Sequence, residues 1–412
     1  MKILVNTEFL ELGGSIVTAV ELAAAVRDRH GHDVVFFARN GPARDLLESR
    51  GLRLVEAPQG GHELGFVSSL RRACRDERPD IVHSWDRRAI HAGYYAAQLM
   101  GGLPLLGSVT EMLVPPFLAV GMPVTYVTEE IRAADRHRRS PTFLQDPPIN
   151  VGNDHPGAAD GDAWRREHGL GPAGEEPTIV VVTVSRLSHR MKLESILHTV
   201  GAVGLVGDRL PVEFLIVGDG PARGEVEERA GEVNARLGRE AVRLLGAMVD
   251  PRPAYAGADI VVGMGTSVVR GMAFDKPVIV VGELGYAETF TALSSERIAK
   301  SGFYGFGSGT DVGAEHLGGL LDDLIARRSE WPQLGALGRA MACERFAVEP
   351  VADILAKRYE EVAAMQPDRR WSLFLRNFGR TVMAMGVSVA PDAVRHTLGE
   401  TVDTPSPARG SS

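Results

Sequence analysis

Val184-Ser185-Arg186-Leu187, followed by Lys192, opens an ordered series of short motifs in the second half of the chain. Leu215-Ile216-Val217-Gly218-Asp219-Gly220-Pro221 comes next, then Ala258-Asp259-Ile260-Val261-Val262-Gly263-Met264-Gly265-Thr266-Ser267, and Lys276-Pro277-Val278 closes the series. Each lies at or beside an apolar run. Two supply cations and two supply glycines or free backbone amides. Thr178–Val184, just ahead of the first motif, is strongly β-branched and reads as a central strand. In an open parallel sheet, phosphates bind at the carboxyl ends of strands and the amino ends of helices, which is where such residues belong.

Outward from this block the pattern continues. Leu193–Val206 and Ala222–Leu237 carry helical spacing, and Val212–Val217, Val242–Leu245, Asp259–Val262 and Pro277–Val281 read as strands. The first half alternates in the same way. Strands are expected at Ile3–Val5, Val34–Phe37, Leu52–Glu56, Asp80–His83, Leu105–Ser108 and Val124–Val127, with helices between them, including Ile16–Arg29 and Ala89–Met100. Strand–helix–strand alternation implies parallel sheets with right-handed crossovers. Between Pro147 and Gly174, prolines, glycines, Asn153 and Asp154 cluster, which marks a connection. The expected division is a first domain over 1–150, a second over 151–346, helices over 347–400 that pack back toward the first, and a disordered tail over 401–412.

The 412 residues exceed one ordinary core. A net charge of −8 argues against nucleic acid as a partner. Cys74 and Cys343 are far apart and read as reduced, which fits a cytoplasmic protein. Asn6, Thr7 and Glu8 interrupt the amino-terminal apolar run too early for a signal-peptide core, and no stretch approaches a membrane-spanning length.

The order and spacing of the motifs resemble the nucleotide-sugar half of retaining glycosyltransferases of family 4, strongly from Thr178 to Val281 and weakly before Pro147, in a bacterial member of actinobacterial type. The resemblance implies an α/β GT-B fold, two Rossmann-like domains facing a central cleft. It implies transfer of a sugar from a nucleotide-diphosphate donor to an acceptor hydroxyl with retention, the acceptor being a glycan, a lipid-linked sugar or a natural product. No cofactor is implied beyond the donor substrate. Domain closure would exclude water.

Arg186 offers a planar fork to phosphate oxygens and Lys192 a point charge; in the family the matching pair holds the donor diphosphate. Gly218 and Gly220 permit a sharp turn at a strand end, which serves either structure or the donor. Gly265, Thr266 and Ser267 open a helix and build an anion site from amides and the helix dipole. Gly13 and Gly14 match a family loop near the diphosphate, with Ser15 expected to cap the following helix. Glu283, in a glycine-rich loop, is a carboxylate for sugar hydroxyls. Glu111 and Glu129 are the acidic candidates on the acceptor side, and His83 and Asp86 read chiefly as structural hydrogen-bonding residues.

One residue departs from the family. Where relatives carry a ribose-gripping Glu, this chain has Arg270, and no Glu stands eight positions earlier. Arg270 cannot accept hydrogen bonds; it is left to hold a phosphate or carboxylate, or to pair with Asp275 or Glu283. A silent homologue partnering an active transferase, and a nucleotide-sugar epimerase, therefore stand as alternatives. Asp160-Gly161-Asp162 reads as a solvated turn, so no metal site is expected. The apolar and basic helix Trp371–Val389 either packs across a domain or contacts the inner face of a membrane. A monomer or a homodimer is expected.

Overall fold

The structure, a computed structural model, describes residues 1–11, 13–59, 63–110, 114, 117–135, 140–171, 178–309 and 312–388. Glu111 and the expected tail over 401–412 lie outside the described residues. The chain forms two compact units; it leaves the first after Pro148, builds the second from Ile149 to Ala347, and rejoins the first at Val348.

In the first unit, seven strands, β1 (Lys2–Phe9), β2 (Asp33–Arg39), β3 (Arg53–Glu56), β4 (Ile81–Trp85), β5 (Leu105–Val109), β6 (Val124–Tyr126) and β7 (Thr142–Leu144), form one sheet in the order β3-β2-β1-β4-β5-β6-β7. All neighbours are parallel. The crossovers are α1 (Gly14–His30), α2 (Arg44–Ser49), α3 (Glu63–Glu77), α4 (Arg87–Gly93) and α5 (Glu129–Ala134). Because successive strand residues face opposite sides, Ile3 and Val5 enter one core and Leu4 the other. β1 runs on past Val5 because Asn6 and Thr7 are buried within it, and the Asn6 amide is answered by Ser84 Oγ at 3.0 Å and the Ala89 carbonyl at 2.9 Å. The expected helix Ala89–Met100 is α4 followed by a π-helical turn over Tyr94–Leu99.

The second unit contains α6 (Gly161–Glu167), β8 (Ile179–Val184), α7 (Leu193–Val206), β9 (Val212–Val217), α8 (Arg223–Leu237), β10 (Val242–Gly246), α9 (Arg252–Gly257), β11 (Ile260–Gly263), α10 (Thr266–Ala273), β12 (Val278–Val281), β13 (Ala287–Thr289), α11 (Ser295–Lys300), α12 (Gly313–Ala326) and α13 (Trp331–Arg345). Its sheet runs β10-β9-β8-β11-β12-β13, parallel except for the antiparallel edge strand β13. Asp160 is exposed, as expected, but it caps a helix: its carboxylate accepts from the Ala163 amide at 2.8 Å at the start of α6. That helix brings in Arg165, fully buried and paired with Asp259 at 3.0 Å. The segment after Pro148 is thus part of the second unit's packing.

After Val348 the chain adds α14 (Val348–Ala363) and α15 (Trp371–Ser388) to the first unit. Val351, Leu355 and Tyr359 of α14 join the core above β1 and α1.

Candidate functional site

Strand order reverses direction between β8 and β11 in the second sheet, and between β1 and β4 in the first. At such a switch point the two flanking loops diverge and leave a crevice at the carboxyl ends of the strands. In the second unit those loops are Ser185–Lys192, after β8, and Met264–Gly265, after β11. Arg186 and Lys192 therefore share one loop at the crevice, with Thr266 and Ser267 across from it at the start of α10.

The Arg186 loop is held by its neighbour. Leu187 donates from its amide to the Asp219 carbonyl at 2.9 Å, and Ala222 donates to the Leu187 carbonyl at 3.0 Å. Gly218 and Gly220 take φ of 147° and 156°, and a β-carbon on either would overlap the carbonyl oxygen of Ser185 or Leu187. Both glycines are thus required for two loops to touch, which is a packing role.

Lys192 stands at the N-cap position of α7. No carboxylate pairs with its half-buried ammonium among the described residues. Burial, and then the neighbouring Arg186 charge, push it down to about 8. Arg186 is exposed and Lys192 half-buried, and two adjacent cations favour occupation by an anion. The backbone ahead of Lys192 is left-handed at Met191, φ 65°, a conformation that costs about 1–3 kcal/mol and persists only where surroundings impose it.

Gly265 precedes α10 with φ 61° and ψ −140°, and no side chain caps the helix. Its amide donates to the Phe303 carbonyl at 2.8 Å, while Ser267 Oγ turns back to the Met264 carbonyl at 2.9 Å. The exposed Thr266 faces solvent at the helix start. Phe303–Gly307 also bonds to the loop after β12, since Glu283 donates from its amide to the Gly305 carbonyl at 3.0 Å. The Glu283 carboxylate accepts from the Tyr304 hydroxyl. Gly285 in turn donates to Glu194 Oε1 of α7 at 2.8 Å. The loops after β11 and β12 and the start of α7 are thereby stitched into one rim. Tyr304 lies in the aromatic, glycine-rich run Ser301–Gly307, which the sequence alone leaves as either a cleft lining or a packed loop; Glu194 has no motif around it, and only the fold reveals its part in the rim.

Two sequence expectations change. Arg270 pairs with neither Asp275 nor Glu283; its Nε donates to Asp154 Oδ2 at 2.9 Å, from the Asn150–Asp154 turn. Its charge is therefore answered inside the protein. Lys276 lies at the amino end of β12, the opposite edge of the sheet from Lys192, and donates to the Ala256 carbonyl at 2.8 Å. It braces the fold and does not join the cation pair.

In the first unit, the crevice between β1 and β4 is bordered by Gly13 and Gly14. Gly13 is the N-cap of α1 and has extended backbone; Ser15 lies inside the first turn, so no side chain caps this helix. A β-carbon on Gly13 or Gly14 would meet nothing within 4 Å. Neither packing nor dihedral angle demands these glycines, and what they preserve is open space before bare helix amides. Asp86 caps α4 by accepting from Ala89 at 3.0 Å. His83 is fully buried, with Nδ1 against Tyr359 Oη and Nε2 against Ser108 Oγ, both at 2.7 Å, and burial pushes it down to about 3. It joins α14 to the sheet as a neutral ring. Glu129, in the first turn of α5, is paired with Arg132 at 2.7 Å.

Residues 12–113 match the family model described as Glycosyltransferase Family 4, and residues 178–297 match that described as Glycosyl transferases group 1. No curated protein sequence matches the chain. Among solved structures, HepE from Anabaena in complex with UDP is 19% identical, with 88% of this chain and 100% of that chain covered and a TM-score of 0.69. A glycosyltransferase from Rickettsia africae is 13% identical over 88% and 98% of the two chains, TM-score 0.69. Sucrose-phosphate synthase from Thermosynechococcus elongatus is 17% identical over 88% and 100%, TM-score 0.68. The two family matches, each falling inside one unit, and this shared fold of two Rossmann-like domains support a glycosyltransferase of the GT-B class.

Proposed function

We propose that the protein transfers a sugar from a nucleoside-diphosphate donor to an acceptor hydroxyl with retention of configuration, and that the second unit binds the donor. The observation that carries this reading is Lys192. Its ammonium is half-buried and pushed down to about 8, and the charge beside it is another cation, Arg186. A diphosphate would relieve that repulsion and be held by charge-assisted hydrogen bonds worth about 1.5–3 kcal/mol each. Thr266 and Ser267, at the uncapped start of α10, add backbone donors.

In this reading the protein's chief work is to neutralise charge that develops on the departing diphosphate. The acceptor proton passes to a diphosphate oxygen on the face that the leaving group vacates. The reaction needs neither a metal nor a pair of protein carboxylates. UDP is the first base to try, because HepE, of like fold, was crystallised with UDP and with UDP-glucose.

A thermal-shift series with UDP, GDP, ADP and dTDP on the wild type and on Lys192→Ala tests the reading. A ligand that binds only the folded state raises the melting temperature. The expected result is a rise with one nucleotide that the variant loses. No rise with any of the four, or a rise unchanged in the variant, refutes it.

A further inference from the structure

The loop after β12 and the Phe303–Gly307 segment are locked together backbone to backbone. The Glu283 amide donates to the Gly305 carbonyl at 3.0 Å, and the Gly307 amide donates to the Glu283 carbonyl at 2.9 Å. A β-carbon on Gly282 would overlap the Gly305 carbonyl oxygen, one on Gly305 the Tyr286 ring, and one on Gly307 the Leu284 carbonyl oxygen. These three glycines let the two segments touch. The two hydrogen bonds make Glu283 and Phe306 partners in a parallel bridge, and side chains so paired project from one face.

Tyr304, two positions before Phe306, projects from the same face. Its ring meets that of Phe306 edge-on at 5.2 Å, and its hydroxyl donates to the Glu283 carboxylate. Tyr304 is buried, whereas Phe306 is 64% exposed. Leaving most of a Phe ring in water forgoes the gain of burial, yet the bridge and Tyr304 hold it out. The second oxygen of the Glu283 carboxylate has no hydrogen-bond partner among the described residues. The face adjoins the cation loop. Gly285 donates to Glu194, two residues beyond Lys192 in the first turn of α7, and the Tyr304 hydroxyl lies in the fields of Arg190 and Glu194, which flank Lys192.

We infer that Phe306 and Glu283 seat a pyranose ring, the sugar that the donor carries. The inference rests on Lys192 holding the donor diphosphate. A donor sugar is joined directly to that diphosphate, so its ring lies beside whatever holds the phosphates. A pyranose meets both demands of this face at once. The C–H groups of one side of the ring lie on the Phe306 ring, and a hydroxyl at its edge donates to the open oxygen of Glu283. An alkyl chain leaves the carboxylate unanswered, and an anionic group is repelled by it. Tyr304 is a positioning residue: its hydroxyl fixes the carboxylate and its ring fixes Phe306.

Titration calorimetry of UDP against UDP-glucose, and of GDP against GDP-mannose, tests this on the wild type, Phe306→Ala and Glu283→Gln. The quantity read is the ratio of the two affinities within a pair, which isolates the sugar. For the pair that binds, each change should shift the ratio against the nucleotide sugar about fivefold or more. The bare nucleotide should bind as before, and the melting temperature should hold because Phe306 is exposed. Ratios unchanged in both variants overturn the inference and leave the donor site standing. Equal loss of the bare nucleotide also overturns it, since the loops then serve the diphosphate. If no nucleotide binds the wild type, the donor reading and this inference fall together.

Discussion

Arg270 donates from Nε to Asp154 Oδ2 at 2.9 Å, joining α10 to a turn 116 positions earlier in the sequence. The Asp154 side chain is 6% exposed and that of Arg270 36%, so the carboxylate depends on the pair more than the guanidinium does. Burial raises the Asp154 carboxyl, and Arg270 works against that rise. Replacing Arg270 by Met leaves a buried charge unanswered. The expected loss is about 1–3 kcal/mol, below the full cost of breaking a buried pair because one partner reaches solvent. Urea unfolding of Arg270→Met, Asp154→Asn and the double variant measures it; strict additivity of the two single changes would contradict the coupling.

Lys192 makes nucleotide binding depend on pH. Its ammonium is lost as pH rises through about 8 in the empty site, so nucleotide affinity should fall between about pH 7 and 9. Lys192→Met should bind about tenfold to a hundredfold more weakly and lose that slope. Stability of the nucleotide-free protein runs the other way. The unfolded chain, with lysine at its ordinary 10.5, holds more protons above about pH 8, so this group's contribution to stability rises with pH up to about 10.5. Titration calorimetry and thermal melts across this range read the two effects separately.

Gly218 and Gly13 should answer alanine in opposite ways. Gly218→Ala sets a β-carbon against the Ser185 carbonyl at a φ of 147°, and the expected cost exceeds about 2 kcal/mol. Gly13→Ala meets no atom and should leave stability within about 1 kcal/mol. If the space before α1 admits substrate, Gly13→Ala nevertheless lowers turnover. Melting temperature and transferase rate, measured together, distinguish the two.

Lys276→Met is the control for Lys192. Its ammonium serves the Ala256 carbonyl at the far edge of the sheet, so the change should cost about 1 kcal/mol of stability and leave the nucleotide-induced rise in melting temperature intact. Loss of that rise would mean that the two lysines act on one ligand.

Much of the fold was legible because it is written in contiguous, β-branched runs: Val212–Val217 and Leu193–Val206 have the bounds expected of them. The short elements were legible only in part. β6, β7 and β13 are three residues each; β6 was legible because it lies in the β-branched run Val124–Val127, whereas β7 and β13 lack such a run and are too short for alternation to register. At the site, spacing brought Arg186 and Lys192 to one loop, since the strand and helix that bracket them are both strong. It could not reveal that Lys276 faces the opposite edge, because a cation beside an apolar run looks the same at either end of a strand. The Arg270–Asp154 and Glu283–Tyr304 pairs were hidden for another reason: each joins segments that only tertiary packing brings together.

The route of the chain also orders its synthesis. The second unit is one uninterrupted stretch, Ile149–Ala347, while the first waits for α14 to supply Val351, Leu355 and Tyr359 to its core. On a ribosome moving from the amino terminus, the sheet made first is completed last. His83 stays without its Tyr359 partner until α14 has been made, and a chain stopped before α14 would carry a finished second unit and an unfinished first.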